Sequence, residues 1–292
     1  MKRWAKLTTV ALVAALALSA CGTTGGMGTS GIRPPTAEAA TPSGERLRAL
    51  APPARRIDVA VYGFADQTGQ HKPNEFFAEF SRAVTQGGDA VLIDVLKGVS
   101  GGRWFNPVER VGLQNLLTER NLIEQSHRAY RGTQSSPLPP LRFAGVILEG
   151  GIINYDSNVE TGGAGARLLG IGASTQHRRD MVTVFLRAVS VNTGEILTSV
   201  TASKTIYSTL VQGSVFRFVA TDEILEAEAG VSRNEPVGLA VRQAIELAVY
   251  RLVHEGAKNG LWRFANPGTQ TRMIADYNRR MAQHRGRLAS GS

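Results

Sequence analysis

Hydrophobic residues recur along the chain at two spacings, and each spacing predicts a different kind of element. From Ile57 to Phe64, IDVAVYGF alternates in the period of a strand. Residues 65–74 are polar and read as a loop. Residues 75–98 take helical spacing, broken at Gly87-Gly88 ahead of DAVLIDVLKGV. Arg103 to Pro107 is a short strand or turn. Glu109 to Tyr130 is a long amphipathic helix with Val111, Leu113, Leu116, Leu117 and Ile123 at helical spacing. The run TQSSPLPP, residues 133–140, is a loop. FAGVILEGGIINY, residues 143–155, opens a strand-rich region that continues to about residue 233. Pro236 opens the last helix, which reaches about Gly256 and is followed by Gly260-Leu261-Trp262. The order β-α-α-β, then strands, then a helix, makes an α+β protein.

Two stretches in the middle do not fit a compact globule. Asn154, Asp156, Asn158 and Glu160 are polar and alternate with Tyr155, Ser157, Val159 and Thr161. Leu169, Ile171 and Ala173 then alternate with glycine and Ser174. In the second stretch Val200, Ala202, Ile206 and Leu210 share one parity, interrupted by Lys204 and Ser208. Leu225, Ala227, Ala229 and Val231 alternate with Glu226, Glu228 and Gly230. Strands of roughly ten residues, apolar on one face and polar on the other, suit a transmembrane barrel wall. They also suit a half-buried sheet in water, and the pattern alone leaves both open. Four strands cannot close a barrel, so the membrane reading demands oligomerisation.

The N-terminus changes the picture. Lys2, Arg3 and Lys6 precede an apolar run from Val10 to Leu18, too short to span a bilayer as a mature helix. Leu18-Ser19-Ala20-Cys21 then matches a bacterial lipobox, and Cys21 is the only cysteine in the chain. A lone thiol makes no internal disulfide and no CxxC pair. Cleavage before Cys21 followed by acylation of its thiol and amine gives stable anchoring, because each buried CH₂ adds about 0.8 kcal/mol. Gly22 rather than aspartate follows, which favours the outer membrane. The expected organisation is a signal peptide over 1–20 and a lipidated Gly/Pro-rich tether over 21–55.

Charge and chemistry narrow the classes. The formal net charge is +9, but Lys2, Arg3 and Lys6 are lost with the signal peptide, and residues 272–292 hold five arginines against one aspartate. What remains is nearly balanced, so the basic tail reads as a solvated end and no nucleic-acid partner is expected. No apolar run after Cys21 is long enough for a membrane helix. His71, His127, His177, His254 and His284 form no HExxH or close metal pair. No GxSxG is present, and GGAGARLLGIG has Leu168 where a nucleotide loop needs its third glycine. No catalytic activity, metal or cofactor is expected.

A set of motifs goes further. These include DQTGQHKP (66–73), FSRAVTQ (80–86), RWFNPVERVGLQNLLTERNLI (103–123) and ILEGGIINYDSNVETGGAGAR (147–167). GIGASTQ (170–176), NTGEILTSV (192–200), SKTI (203–206), VFRF (215–218), NEPV (234–237) and GLW follow. From about Ile57 to Trp262 the chain resembles the CsgG family of curli production assembly/transport components, and the lipobox agrees with a family of outer-membrane lipoproteins. The resemblance implies a ring of about nine protomers, each giving two β-hairpins to a shared barrel of about 36 strands. It implies a small periplasmic α/β domain in each protomer, an outer-membrane location with a lipid anchor, and curli accessory proteins as partners. It implies that unfolded curli-type subunits pass through a ring-shaped constriction without ATP. Expected boundaries are a periplasmic first part over 56–153 with a constriction loop at 72–81, a transmembrane hairpin over 154–180, and a periplasmic strand and turn over 181–198. A second transmembrane hairpin over 199–232, a periplasmic helix over 233–265 and a basic tail over 266–292 complete it.

Carried over by position, the family's inner phenylalanine matches Phe80, and Glu79 stands where the family has an asparagine. The family's tyrosine has no clean equivalent, because the loop is one residue longer, and Asn74, Phe76 or Phe77 fills that place. A ring of Glu79 carboxylates would raise one another's pKa and favour cations. Phe76, Phe77 and Phe80 also fit one face of a core helix, at i, i+1 and i+4. The alternative to a channel is a lipoprotein that only scaffolds an adhesin or holdfast, which needs neither lipid-facing strands nor a pore loop.

Overall fold

The computed structural model describes residues 41–69, 87–132, 136–161, 176–211, 215–219 and 237–290. Six strands run β1 (Ile57–Asp66), β2 (Phe105–Val108), β3 (Val146–Thr161), β4 (Gln176–Ser190), β5 (Ile196–Val211) and β6 (Val215–Val219). They form one sheet in the order β2-β1-β3-β4-β5-β6. β1 pairs parallel with β2 and β3, and every later pair is antiparallel. The helices among the described residues are α1 (Pro42–Arg48), α2 (Gly88–Gly98), α3 (Leu113–Arg131), α4 (Val237–Lys258) and α5 (Pro267–Ser290).

The core lies on one face of the sheet. Leu148, Ile152 and Tyr155 of β3, Val182, Val184 and Leu186 of β4, and Val200, Ala202 and Ile206 of β5 point into it. Strand period two puts these alternate residues on the same side. α4 covers β4 and β5, and α2 covers β1 and β2. α4 is buried along almost its whole length: Ala240, Ala244 and Ala248 recur every four residues beside Val241, Ile245, Val249 and Leu252. The small side chains let the helix approach the strands, and each large one buried contributes about 1.5–3 kcal/mol.

Aromatic residues close the end of the core near β2. Trp104 is fully buried, its Nε1 donates to the Ala51 carbonyl at 2.7 Å, and its ring meets Phe264 edge-on at 5.0 Å. Trp262 packs edge-on against Trp104 and Phe105 and donates Nε1–H to the Val253 carbonyl at 2.8 Å. The segment around Pro53 bridges to Phe264, with Ala54 N–H on the Arg263 carbonyl and Ala265 N–H on the Pro52 carbonyl.

Three expectations are corrected. The tether does not extend to residue 55, because Thr41 caps α1 by accepting from the Gly44 N–H at 2.9 Å, and Leu47 and Leu50 enter the core. The second hairpin does not leave the domain at residue 199: Val200, Ala202 and Ile206 are core residues under α4. The basic tail is not a free end, since residues 267–290 form α5, and Tyr277 is buried with its hydroxyl on Glu255 at 2.7 Å. One tyrosine beside the half-buried Met273 and Ile274 is enough to dock a helix whose other residues are mostly polar. α3 forms where its amphipathic spacing predicts, yet none of its residues is buried, and Leu122 is 59% exposed.

Candidate functional site

Cys21, Asn74, Phe76, Phe77, Glu79 and Phe80 lie outside the described residues, as do the segments 162–175 and 220–236. The structure places the frame from which these segments depart and to which they return.

The segment carrying Phe80 leaves the sheet from the end of β1. Asp66 is buried, and its Oδ1 accepts from the Thr68 N–H at 2.9 Å and the Thr68 hydroxyl at 2.7 Å. An aspartate that bonds the backbone two residues on is an Asx turn, and it bends the chain away from the strand. Gln67 N–H keeps one last bond, to the Ile152 carbonyl at 2.9 Å. The motif DQTG is therefore the exit turn. The chain returns at Gly87-Gly88, and the return is fitted against the exit. A Cβ on Gly88 would lie 2.7 Å from both the ring and the carbonyl oxygen of Phe64. A Cβ on Gly150 would lie 2.6 Å from the same ring and 2.5 Å from the Phe185 carbonyl oxygen. Phe64 thus sits between two glycines that must lack side chains, which explains Gly88 and the first glycine of the EGG motif. A register shift in β1 between Val61 and Phe64 aims the phenylalanine into this slot.

At the same level the sheet changes character. β1 ends opposite Ile152, while β3 runs on to Thr161 and β4 comes back from Gln176, paired with it in register to the last residue. β5 and β6 form a second antiparallel pair from Tyr207↔Val219 to Val211↔Val215. β4 also pairs with β5 as far as His177↔Thr209, so the two hairpins lie side by side.

The core face ends in a charged layer that the hydrophobic pattern conceals. Tyr155 on β3, Asp180 on β4 and Lys204 on β5 are all buried. The Tyr155 hydroxyl donates to Asp180 Oδ1 at 3.3 Å. Lys204 faces Val182 across the ladder, one diagonal step from Asp180. The sequence pattern treats Lys204 as an interruption of an apolar face. In the fold it shares the covered face with an opposite charge, and only strand register brings the two within reach.

Below the hairpins, Asp58 ties the start of β1 to its neighbours. Asn106 Nδ2 donates to its Oδ1 at 2.5 Å and Arg142 Nη1 at 3.2 Å. Burial pushes this carboxyl up, but the bonds from Asn106 and Arg142 outweigh it and hold its pKa below the ordinary value. Among the described residues no helix is long and apolar enough to cross a membrane.

The family model described as "Curli production assembly/transport component CsgG" matches residues 43–281. That span runs from α1 into α5 and so exceeds the resemblance drawn from motifs at both ends. The curli production assembly/transport component CsgG of Escherichia coli strain K12 is 44% identical over 264 residues, covering 87% of this chain and 90% of the relative. The same component of Salmonella typhimurium is 45% identical over 264 residues with the same coverage, and that of Citrobacter koseri is 44% identical. Similarity of this extent is shared descent across the whole folded body, and the chain belongs to the CsgG family of curli production assembly/transport components.

Proposed function

We propose that this protein is a lipid-anchored outer-membrane channel, formed by a ring of its own copies, that exports unfolded curli-type subunits. The observation that carries the reading is the run of two adjacent antiparallel strand pairs well past the end of β1, to Thr161↔Gln176 and Val211↔Val215. A scaffold confined to the periplasm has no need for strand pairs extended this far beyond their neighbour in the sheet. Oligomerisation follows from edge physics, because the exposed edges of a four-stranded wall need neighbours in lipid. The exit and return of the Phe80 segment beside Phe64 support a second element of the reading. They root it at the Ile152 level of the sheet, on the domain side of the buried Tyr155 and Asp180, where a ring of loops would narrow the passage. Phe80 would slide over an extended backbone while blocking bulk leakage, Glu79 would add negative charge to the ring, and one of Asn74, Phe76 and Phe77 would complete it. Cys21 would hold each protomer to the membrane, and periplasmic and extracellular accessory proteins of the curli system would dock on the ring.

Planar-bilayer conductance of the detergent-extracted, lipidated protein tests this. Discrete, uniform channels are expected. A reproducible absence of channels, from protein shown to be folded and oligomeric, would leave the scaffold reading in its place.

A further inference from the structure

The joint between α4 and α5 holds a group that neither the fold nor the transport reading uses. His254 on α4 is fully buried. Its ring stacks on Tyr277 of α5, with centroids 4.8 Å apart and planes 18° apart, and meets Tyr250 at 4.3 Å and Phe264 at 6.3 Å. Nδ1 lies 2.8 Å from the Tyr250 carbonyl, an acceptor, so Nδ1 carries the proton of the neutral ring. Nε2 is then a lone pair, shut off from solvent and without a hydrogen-bond partner among the described residues. A neutral imidazole tolerates that position. An imidazolium there would bury a charge and an N–H with no acceptor, and each is costly.

The charged groups facing this joint do not offset that cost. From α4, Glu255 favours the cation, but its oxygens are engaged by the Tyr277 hydroxyl at 2.7 Å and by Lys258 Nζ at 2.9 Å. Lys258 and Arg251, also on α4, are cations. α5 brings Asp276 and Arg280, and α1 brings Arg46. The loop between the helices contributes the Phe264 ring. The faces of Tyr250 and Tyr277 would attract a cation weakly, without supplying the missing acceptor. Burial is the main influence on His254 and pushes its pKa below the ordinary value, against smaller upward pulls from the Tyr250 carbonyl and Glu255.

We propose that His254 is an acid-sensitive latch: while neutral it holds α5 against α4 through the Tyr277 stack, and uptake of a proton releases α5. The direction follows from linkage. The released state binds the proton more readily, so docking is at full strength above about pH 6.5, the unperturbed value for histidine, and weakens as pH falls below it. α5 is the element to yield because Tyr277 is its one fully buried side chain among the described residues.

Amide hydrogen exchange of the full-length protein, followed over residues 267–283 and corrected for intrinsic rates, tests the latch. Protection is expected to fall by up to about tenfold per pH unit below about pH 6.5, while β4 stays protected. His254→Gln, which cannot titrate, and His254→Phe, which keeps a ring for the stack, should each remove the slope. A flat wild-type profile, or a slope that survives in both variants, overturns the proposal. Should neither variant fold, the imidazole of His254 in the labelled wild-type protein is followed by NMR. Protonation at the midpoint of α5 release supports the latch, and release with the ring still neutral overturns it. None of these readouts depends on channel activity.

Discussion

Replacing Glu246 by alanine should loosen the N-terminal entry to the folded body before anything else. Glu246 sits on α4, 3% exposed, and its carboxylate is the anchor for α1. The hydroxyls of Thr41 and Ser43 both donate to Oε2, the latter at 2.5 Å. Arg242 Nε donates to Oε1 at 3.2 Å. Breaking a buried ion pair from one side typically costs about 3–5 kcal/mol. Arg242 keeps a second partner, Asp94 Oδ2 at 2.6 Å, so the loss belongs at the low end, about 3 kcal/mol. Glu246→Gln keeps the volume and one acceptor, and about half that loss is expected. Thr41→Ala removes the helix cap as well as one bond, for about 1–2 kcal/mol. Because both substitutions break the same contact, the double variant should fall short of additivity by about 1 kcal/mol. The assay is guanidinium denaturation of the Cys21→Ala chain followed by circular dichroism, with tryptic cleavage at Arg48 as a local probe. A Glu246→Ala loss under about 1 kcal/mol with unchanged cleavage would refute the anchoring role.

The other predictions concern packing, the constriction and the anchor. Gly256→Ala would place a Cβ 2.2 Å from the Trp262 ring, so a loss of about 1–3 kcal/mol is expected despite alanine's better helix propensity; calorimetry showing a gain would contradict the packing. Phe80→Ala should raise single-channel conductance, and an unchanged conductance would remove Phe80 from the narrowest point. Glu79→Gln should reduce cation preference, read as a shift in reversal potential; an identical potential places Glu79 away from the passage. Cys21→Ala should leave an unlipidated protein that no longer fractionates with the outer membrane, and normal fractionation would end the anchor assignment.

Local patterns in the chain are enough to determine where β1, α3 and α4 form, because strand and helix periods are set by backbone geometry and show directly in the spacing of apolar residues. The motifs are enough to determine the family, and the far ends of β3 and β5 are legible as alternating stretches. The candidate site is legible only through the resemblance: nothing in KPNEFFAEFS distinguishes a pore loop from a helix with three phenylalanines on one face. Other features needed the tertiary structure, since they depend on what lies opposite each residue. Thr41 and Ser43 read as tether until Glu246, some two hundred residues later, supplies their partner. Lys204 looks like a flaw in an apolar face until the register of β4 sets Asp180 on the same side. The arginine-rich end reads as solvated because its anchor is a single tyrosine, which periodicity cannot detect. His254 is one of five unremarkable histidines by sequence, and only the meeting of α4 with α5 seals its ring away from water. Burial is a property of pairs of surfaces, so the chain's own pattern proposes faces and the fold decides which of them are covered.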